Sequence, residues 1–496
     1  MRIRISYGAR RWWILGMMAI ASLIIFQNAG GALPSQERSY SSITGVNGEA
    51  VYLPILQHFP IIPSIFGVEI SQISDAKGFD KVTAARTYWV RNFVFNWSEI
   101  EPDYFTIPVY HWDAVDEAGL IQAASQGAEV IATIKLTPSW AQKVPGYACG
   151  PVRRSSLDEF ARFMSNLVER YSQYPYQIKY WEIGNEPDVD PDLVNPDSLY
   201  GCWGDKSDNY YGGGYYAEAL KSVYPVIKKA NPEAKVVIGG LLLNCDPTNL
   251  PECPDPKPGK FFEGILHHNG QLDGHNYFDF VSFHGYSFFN GTLQRYENSP
   301  SWGSRGGVVL GKVDFLREVM TSYGVEKPIM HTEGSLVCPE WMPPSNYDCN
   351  HPPDHYQKFF EAQADYVIWL YVRNWAAGLT ATIWYQFDGP GWRFGGMLDG
   401  AQNPKPVYFA YHFLTQELYG TTYSQQIFDY PDFRAYEFIK ADKRIWVLWP
   451  PVEHDPPLVF TLPVGVLQVL DKYGAQIIPI GGQITVEHPV YIELAK

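Results

Sequence analysis

Apolar residues along this chain follow two rhythms. Between residues 65 and 387 eight short apolar runs recur: IFGVEI (65–70), YWVRNFVF (88–95), EVIATIKL (129–136), IKYWEIG (178–184), KVVIGGL (235–241), FDFVSFH (278–284), KPIMHTE (327–333) and TATIWYQF (380–387). Runs of this length, bounded by polar turns, read as buried strands. Between them the period lengthens to that of a helix. The clearest case is 155–172, where Phe160, Phe163, Met164, Leu167, Val168 and Tyr171 follow the i, i+3, i+4 rule and Ser156 with Glu159 has capping-box spacing. Further helical patterns cover 111–126, 215–230, 312–324 and 355–378, and PVYFAYHFLTQELYG closes the series near residue 420. Strands alternating with helices eight times predict an α/β chain folded as a (β/α)8 TIM barrel over 56–420. A doubly wound sheet would carry a Gly-rich turn after its first strand, and FGVEISQISD has none. Beyond 420 the period drops to two, in RAYEFIKADKRIWVLWP, PLVFTLP, VGVLQVLDKYG and PVYIEL, which predicts a small β-sandwich domain over 421–496.

The amino terminus has a different pattern. Four arginines precede an apolar run from Trp12 to Phe26 and a group of small residues, so 1–32 reads as a signal peptide or an N-terminal membrane anchor, and 33–55 as a polar linker. The run is short for a span, which takes about 20 residues. An exported chain fits the six cysteines, Cys149, Cys202, Cys245, Cys253, Cys338 and Cys349, as disulfides. Cys245 with Cys253 and Cys338 with Cys349 each lie close within one loop, leaving Cys149 with Cys202. The net charge of −15 is spread along the chain without basic clusters, which argues against nucleic acid as a partner. A monomer without a cofactor is expected. The 16 Trp and 34 Tyr exceed what a core needs, which places some of them in a cleft.

Active sites of such barrels lie at the C-terminal ends of the strands. In the fourth run, alternation puts Glu182, Gly184 and Glu186 on the lumen face, with Glu186 at the rim. In the seventh, Ile329, His331 and Glu333 share a face and Glu333 is at the edge. Strands four and seven stand opposite each other in an eight-stranded ring. Opposed carboxylates suit glycoside hydrolysis, which needs one protonated acid for the leaving oxygen and one ionised group for the anomeric carbon or a water.

WEIGNEP and HTEG at these two strand ends resemble the clan A glycoside hydrolases, retaining enzymes on a (β/α)8 barrel. NWSEIEPDYFTIPVYHWDAVDEA resembles the second-strand region of family 39 and family 5 types, and the tail ending PVYIEL resembles their appended β-sandwich. The resemblance implies Glu186 as acid/base, Glu333 as nucleophile and Asn185 as donor to the sugar 2-hydroxyl. It further implies that Arg91 supports the nucleophile, that His284 and Tyr286 stand near it, and that Trp384 lies under the reactive sugar, with Trp392 as its rival. Trp140 and Trp97 are candidate subsite walls. The implied substrate is an oligo- or polysaccharide, with β-linkages expected. Two other readings use the same residues. One is a metal-dependent hydrolase with His284, His331, Glu186 and Glu333 as ligands, which lacks the early H-x-H pair of metal-binding barrels; the other is a non-catalytic carbohydrate-binding barrel. All six cysteines fall in loops that follow strands, so the bridges are expected to stiffen the walls of the cleft.

Overall fold

The computed structural model describes residues 62–293, 299–339 and 353–496, the backbone alone at 353–356, and the backbone of two earlier strands. Those strands, Tyr40–Thr44 and Ala50–Pro54, pair antiparallel as a hairpin within a unit of its own, so the stretch read as a linker contains structure. The export segment, 1–32, lies outside the described residues.

The second unit, Pro60–Lys496, holds the barrel and the sandwich. Its barrel strands are β1 (Phe66–Glu69), β2 (Trp89–Asn96), β3 (Glu129–Lys135), β4 (Tyr180–Ile183), β5 (Lys235–Ile238), β6 (Val281–His284), β7 (Ile329–Gly334) and β8 (Ala381–Trp384). All eight expected runs are strands. They pair in parallel in the order β5-β4-β3-β2-β1-β8-β7-β6, and parallel bridges Val237↔Phe280 and Leu241↔Phe283 close the ring between β5 and β6. A helix follows each strand: α1 (Phe79–Ala84), α2 (Glu117–Ser125), α3 (Leu157–Tyr171), α4 (Gly213–Ala230), α5 (Lys260–His267), α6 (Val308–Ser322), α7 (Pro353–Ala376) and α8 (Pro406–Glu417). The short α1 and α5 escape a periodicity reading because one or two turns cannot show a repeat. In α3 all six apolar positions named above are buried. Its expected capping box is not formed: Ser156 makes no cap bond, and its hydroxyl instead accepts from Arg153 Nε at 3.0 Å.

Side-chain alternation inside the ring decides what reaches the cleft. Trp89, Ile131, Val237, Met330, Ala381 and Ile383 form an apolar plug on the lumen side. One pleat further toward the C-terminal ends, Arg91, Thr133, Glu182 and Ser282 form a connected polar layer. In β7 this parity corrects the sequence expectation. Met330, not His331, faces the lumen; His331 stacks on Phe283 (4.7 Å between rings) and bonds Asn374 of α7. A bulge between His331 and Glu333 then turns Glu333 inward.

Beyond α8, strands β9 (Thr422–Ile427), β10 (Arg434–Ile439), β11 (Lys443–Trp449), β13 (Val466–Asp471) and β15 (Val490–Ala495) form an antiparallel sheet in the order β9-β10-β11-β15-β13. The pair β12 (Leu458–Thr461) with β14 (Gln483–Val486) completes the sandwich. It is fastened to the barrel by Trp375 against Phe438 (5.1 Å), by Phe413 against Tyr491 (5.0 Å), and by Lys472. The Lys472 ammonium, 4 % exposed, donates to Glu361 Oε2 at 2.5 Å and Asp365 Oδ1 at 2.7 Å on α7. Removing one partner of a buried pair strands the other. Lys472→Met is therefore expected to lower stability by about 3 kcal/mol, read as a lower urea midpoint at unchanged m-value, and Lys472→Met with Asp365→Leu is expected to recover part of the loss.

Candidate active site

At the mouth of the barrel one guanidinium organises several strands. Arg91 on β2 is fully buried; its Nε donates to Glu182 Oε2 at 2.7 Å, one terminal nitrogen to Glu69 Oε2 and Glu333 Oε1 at 2.5 Å each, and the other to Asn185 Oδ1 at 2.6 Å. Its surroundings hold it well above the ordinary arginine range, as the carboxylate charges outweigh its desolvation. Glu182 also accepts from Thr133 Oγ1 (2.7 Å) and Ser282 Oγ (3.2 Å), so its carboxylate is fully engaged within the protein. Glu69 is a carboxyl that the sequence reading did not single out. Burial pushes it up, and the Glu333 charge adds to the push. The signal was present, since Glu69 ends the first strand run.

Glu333 and Glu186 stand in contrasting environments. Glu333 Oε1 is bonded by Arg91, and its Oε2 accepts from the Tyr286 hydroxyl at 2.5 Å. It thus has a donor on each oxygen, one of them charged. Glu186 has no such donors. Its Oε1 is 2.8 Å from His284 Nδ1, and burial pushes it up to about 7 against the lowering fields of Lys312 and Arg91. Burial holds His284 down at about 4, so its ring is neutral near pH 7. Its buried Nε2 has no partner. A bare ring nitrogen costs least without a proton, which places the proton on Nδ1, donating to Glu186 Oε1. The acid proton of Glu186 then sits on its other oxygen.

Strand alternation does not aim Glu186; the turn after β4 does. Gly184 has φ +82°, and Glu186 itself has φ +48°, a left-handed conformation costly for a residue with a Cβ and more so before Pro187. Surrounding bonds hold it there. Glu186 N–H donates to Gly240 O (3.1 Å), Gly201 N–H to Asn185 O (2.9 Å), and Trp203 N–H to Pro187 O (3.1 Å). Asp188 pins the next loop by accepting from Leu242 and Leu243 N–H at 2.8 Å each. Lys312, buried on α6, donates to Leu242 O (2.6 Å) and His284 O (2.8 Å), tying the same loops from below. Such strain is maintained where surrounding structure over-determines it, commonly at functional sites.

The expected residues separate into two groups. Arg91, Asn185, Glu186, His284, Tyr286 and Glu333 are brought together. Trp384 is not among them: it is fully buried, donates Nε1–H to Gly395 O at 2.8 Å and packs on Tyr366 of α7. Ala381 and Ile383 face the lumen, so parity turns Trp384 outward and Tyr385 inward, where its ring meets Tyr286 edge-on at 5.7 Å. Trp392, 44 % exposed, packs on the opposite side of Tyr286 at 5.3 Å. Trp140 joins Trp97, Tyr104 and the Glu101 carbonyl, a structural cluster apart from the carboxylates, and Trp97 is fully buried within it.

Glu186, His284 and Glu333 each offer one ligand atom, all within 4.8 Å of one another. His331 is not part of this group. A cation there would compete with Arg91 for Glu333 and with the Nδ1 proton for Glu186, so the donors suit proton transfer better than metal binding. The bridges Cys149–Cys202 and Cys245–Cys253 are formed in loops at this end, and Cys338 is disulfide-bonded; Cys349 lies outside the described residues.

No family model and no curated protein matches the sequence. Solved structures match the fold. A family 39 glycoside hydrolase from the gut symbiont Bacteroides cellulosilyticus superposes with TM-score 0.62 at 17% identity, over 90% of this chain and 84% of that one. A GH30 endoxylanase from Clostridium papyrosolvens gives 0.53 at 12% identity over 88% and 97%. A family 51 α-L-arabinofuranosidase from Bifidobacterium longum gives 0.51 at 14% identity over 88% and 96%. The chain thus shares its fold with TIM-barrel glycoside hydrolases of several families.

Proposed function

We propose that this protein is a retaining glycoside hydrolase of the clan A type acting outside the cytoplasm, with Glu186 as acid/base and Glu333 as nucleophile. The observation that carries this reading is the pairing of two carboxyl groups with facing oxygens within 4.8 Å. That close approach of the nearest oxygens suits retention, where the carboxyl groups lie about 5 to 5.5 Å apart, better than the wider separation of about 6.5 to 9.5 Å that admits the water of an inverting enzyme. Their environments support the division of labour: Arg91 and Tyr286 both donate to Glu333, while burial keeps a proton on Glu186. The shared fold with glycosidases and the disulfides point the same way.

In the first half-reaction Glu333 attacks the anomeric carbon as Glu186 gives its proton to the leaving oxygen. The Glu333 charge is consumed in the glycosyl–enzyme ester, and an equal negative charge appears on Glu186 as it gives up its proton, so the leaving alcohol departs neutral. In the second half-reaction Glu186, now ionised, takes a proton from water, which attacks the same carbon and frees Glu333. Asn185, its carbonyl end held by Arg91, keeps its NH2 for a sugar hydroxyl. Tyr385 and Trp392 offer the ring faces on which a pyranose can stack. An oligo- or polysaccharide with β-linkages is the proposed substrate.

Glu333→Ala is expected to lower turnover by on the order of 10⁴-fold or more. Glu186→Ala is expected to lose about 10²- to 10⁴-fold on poor leaving groups, and azide is expected to restore much of the rate on activated aryl glycosides, with a retained glycosyl azide as product. Wild-type-like rates in either variant, or an inverted first product by NMR, overturn the assignment. Chelator-treated enzyme is expected to keep its activity, which excludes the metal reading.

Glu186 works only while protonated. Because its carboxyl is raised to about 7, kcat/KM is expected to fall as pH rises through about 7. Glu186→Gln assayed on an activated substrate is expected to lose this alkaline limb, while Glu69→Gln keeps it. A limb that survives in Glu186→Gln assigns it elsewhere.

A further inference from the structure

Lys135, the last residue of β3, is a cation in the mouth of the barrel that the mechanism above does not use. It has the lumen parity of Ile131 and Thr133, one pleat above the Thr133 hydroxyl that holds Glu182. Strand β3 lies between β2, which carries Arg91, and β4, which leads to Asn185 and Glu186. The Lys135 ammonium therefore faces the space above Arg91.

Lys135 is half-buried, and the fully buried cations of this end are compensated. Arg91 has three carboxylates, and Lys312 has two backbone carbonyls. Lys135 has neither. Among the described residues its ammonium forms no ion pair and no hydrogen bond, and its contact is the face of the Phe93 ring, 3.9 Å to the centroid. The same ring also meets Arg91, 4.8 Å to the centroid, so the two cations share one aromatic contact. Glu69 and Glu333 are near enough to be felt by it, yet Arg91 holds both. Burial lowers its affinity for the proton, to about 8, which still leaves it charged at neutral pH.

An ammonium carries three donors, and its desolvation is best offset by a negative charge. A neutral sugar needs no such group, because Asn185 and the nearby tyrosine hydroxyls already supply neutral contacts. We propose that Lys135 is a specificity residue that binds an anionic substituent, a uronate carboxylate or a sulfate ester, on the sugar seated over Glu333. This rests on the glycosidase reading above and adds the class of sugar to it.

The full chain is assayed on matched aryl glycosides in gluco, galacto and manno configurations, each as the neutral sugar, the uronide and the 6-sulfate. At least one anionic form is expected to exceed its neutral counterpart in kcat/KM by about tenfold or more. Lys135→Met is expected to reduce that ratio by about the same factor, chiefly through KM, and Lys135→Arg to keep most of it. Whether the uronide or the sulfate responds identifies the substituent. A merely structural lysine would lower all rates alike and leave the ratio unchanged, which overturns the proposal, as does a wild type that prefers every neutral form. If no glycoside in the panel or among plant and microbial polysaccharides is cleaved, the glycosidase reading itself fails; cleavage of neutral sugars alone sinks only the role of Lys135.

Discussion

The buried guanidinium of Arg91 is the interaction on which the rest of this site depends. Taking a charge out of water costs several kcal/mol, and the cost is offset only when geometry is good and every donor is used. Here the flat fork of arginine contacts Glu182, Glu69, Glu333 and Asn185, on or just beyond three different strands. A lysine could supply the charge but not the fixed angles between donors. Glu333, Asn185 and Glu182 are therefore positioned by one and the same group.

From this follows the balance of charge. Glu69, Glu182, Glu186 and Glu333 lie around the one guanidinium, and two cations, Lys135 and Lys312, stand close enough to be felt. Burial raises Glu69 and Glu186, the two carboxyls with the fewest donors. Glu182 and Glu333 each have several donors. Glu186 has a single His284 contact, and Glu69 shares one Arg91 nitrogen with Glu333. Glu69 and Glu186 are thus the carboxyls that the protein leaves least solvated, and Glu182 and Glu333 the ones it supplies with more donors.

Much of the barrel is legible in the sequence because a parallel strand buried on both faces is a nearly continuous apolar run, and all eight stood out. Details that depend on one residue of register were not. HTEG in β7 was read as a simple alternation that puts His331 and Glu333 on one face; Glu333 does face the lumen, but through a bulge, with His331 on the outside. In β8 the same kind of slip exchanged Trp384 for Tyr385, and nothing in TIWYQF distinguishes the two without knowing which residue pairs with β1 and β7. Glu186 was found by its motif, while the left-handed turn that aims it has no signature in single residues, since glutamate is a poor choice for that conformation. Lys312 was invisible for another reason. It lies in a helical pattern and is recruited only when α6 packs beneath the loops after β5 and β6.

The lumen can be followed as a series of layers with distinct physical roles. The apolar plug around Trp89, Met330 and Ile383 excludes water from below and gives the ring its packing. The ionic layer rests on that dry floor, so its hydrogen bonds act at low dielectric and are correspondingly strong, and so is the penalty for any donor left unused. Above it lie the aromatic rings of Phe93, Tyr286, Tyr385 and Trp392. Strain at Glu186 and uncompensated charge at Lys135 both occur at this top layer and not below it. A group in the plug or the ionic layer must be satisfied by the protein itself, whereas a group at the rim can be completed by what binds. The places where local structural rules are broken therefore coincide with the rim of the proposed site, where a bound molecule can supply what the protein leaves open.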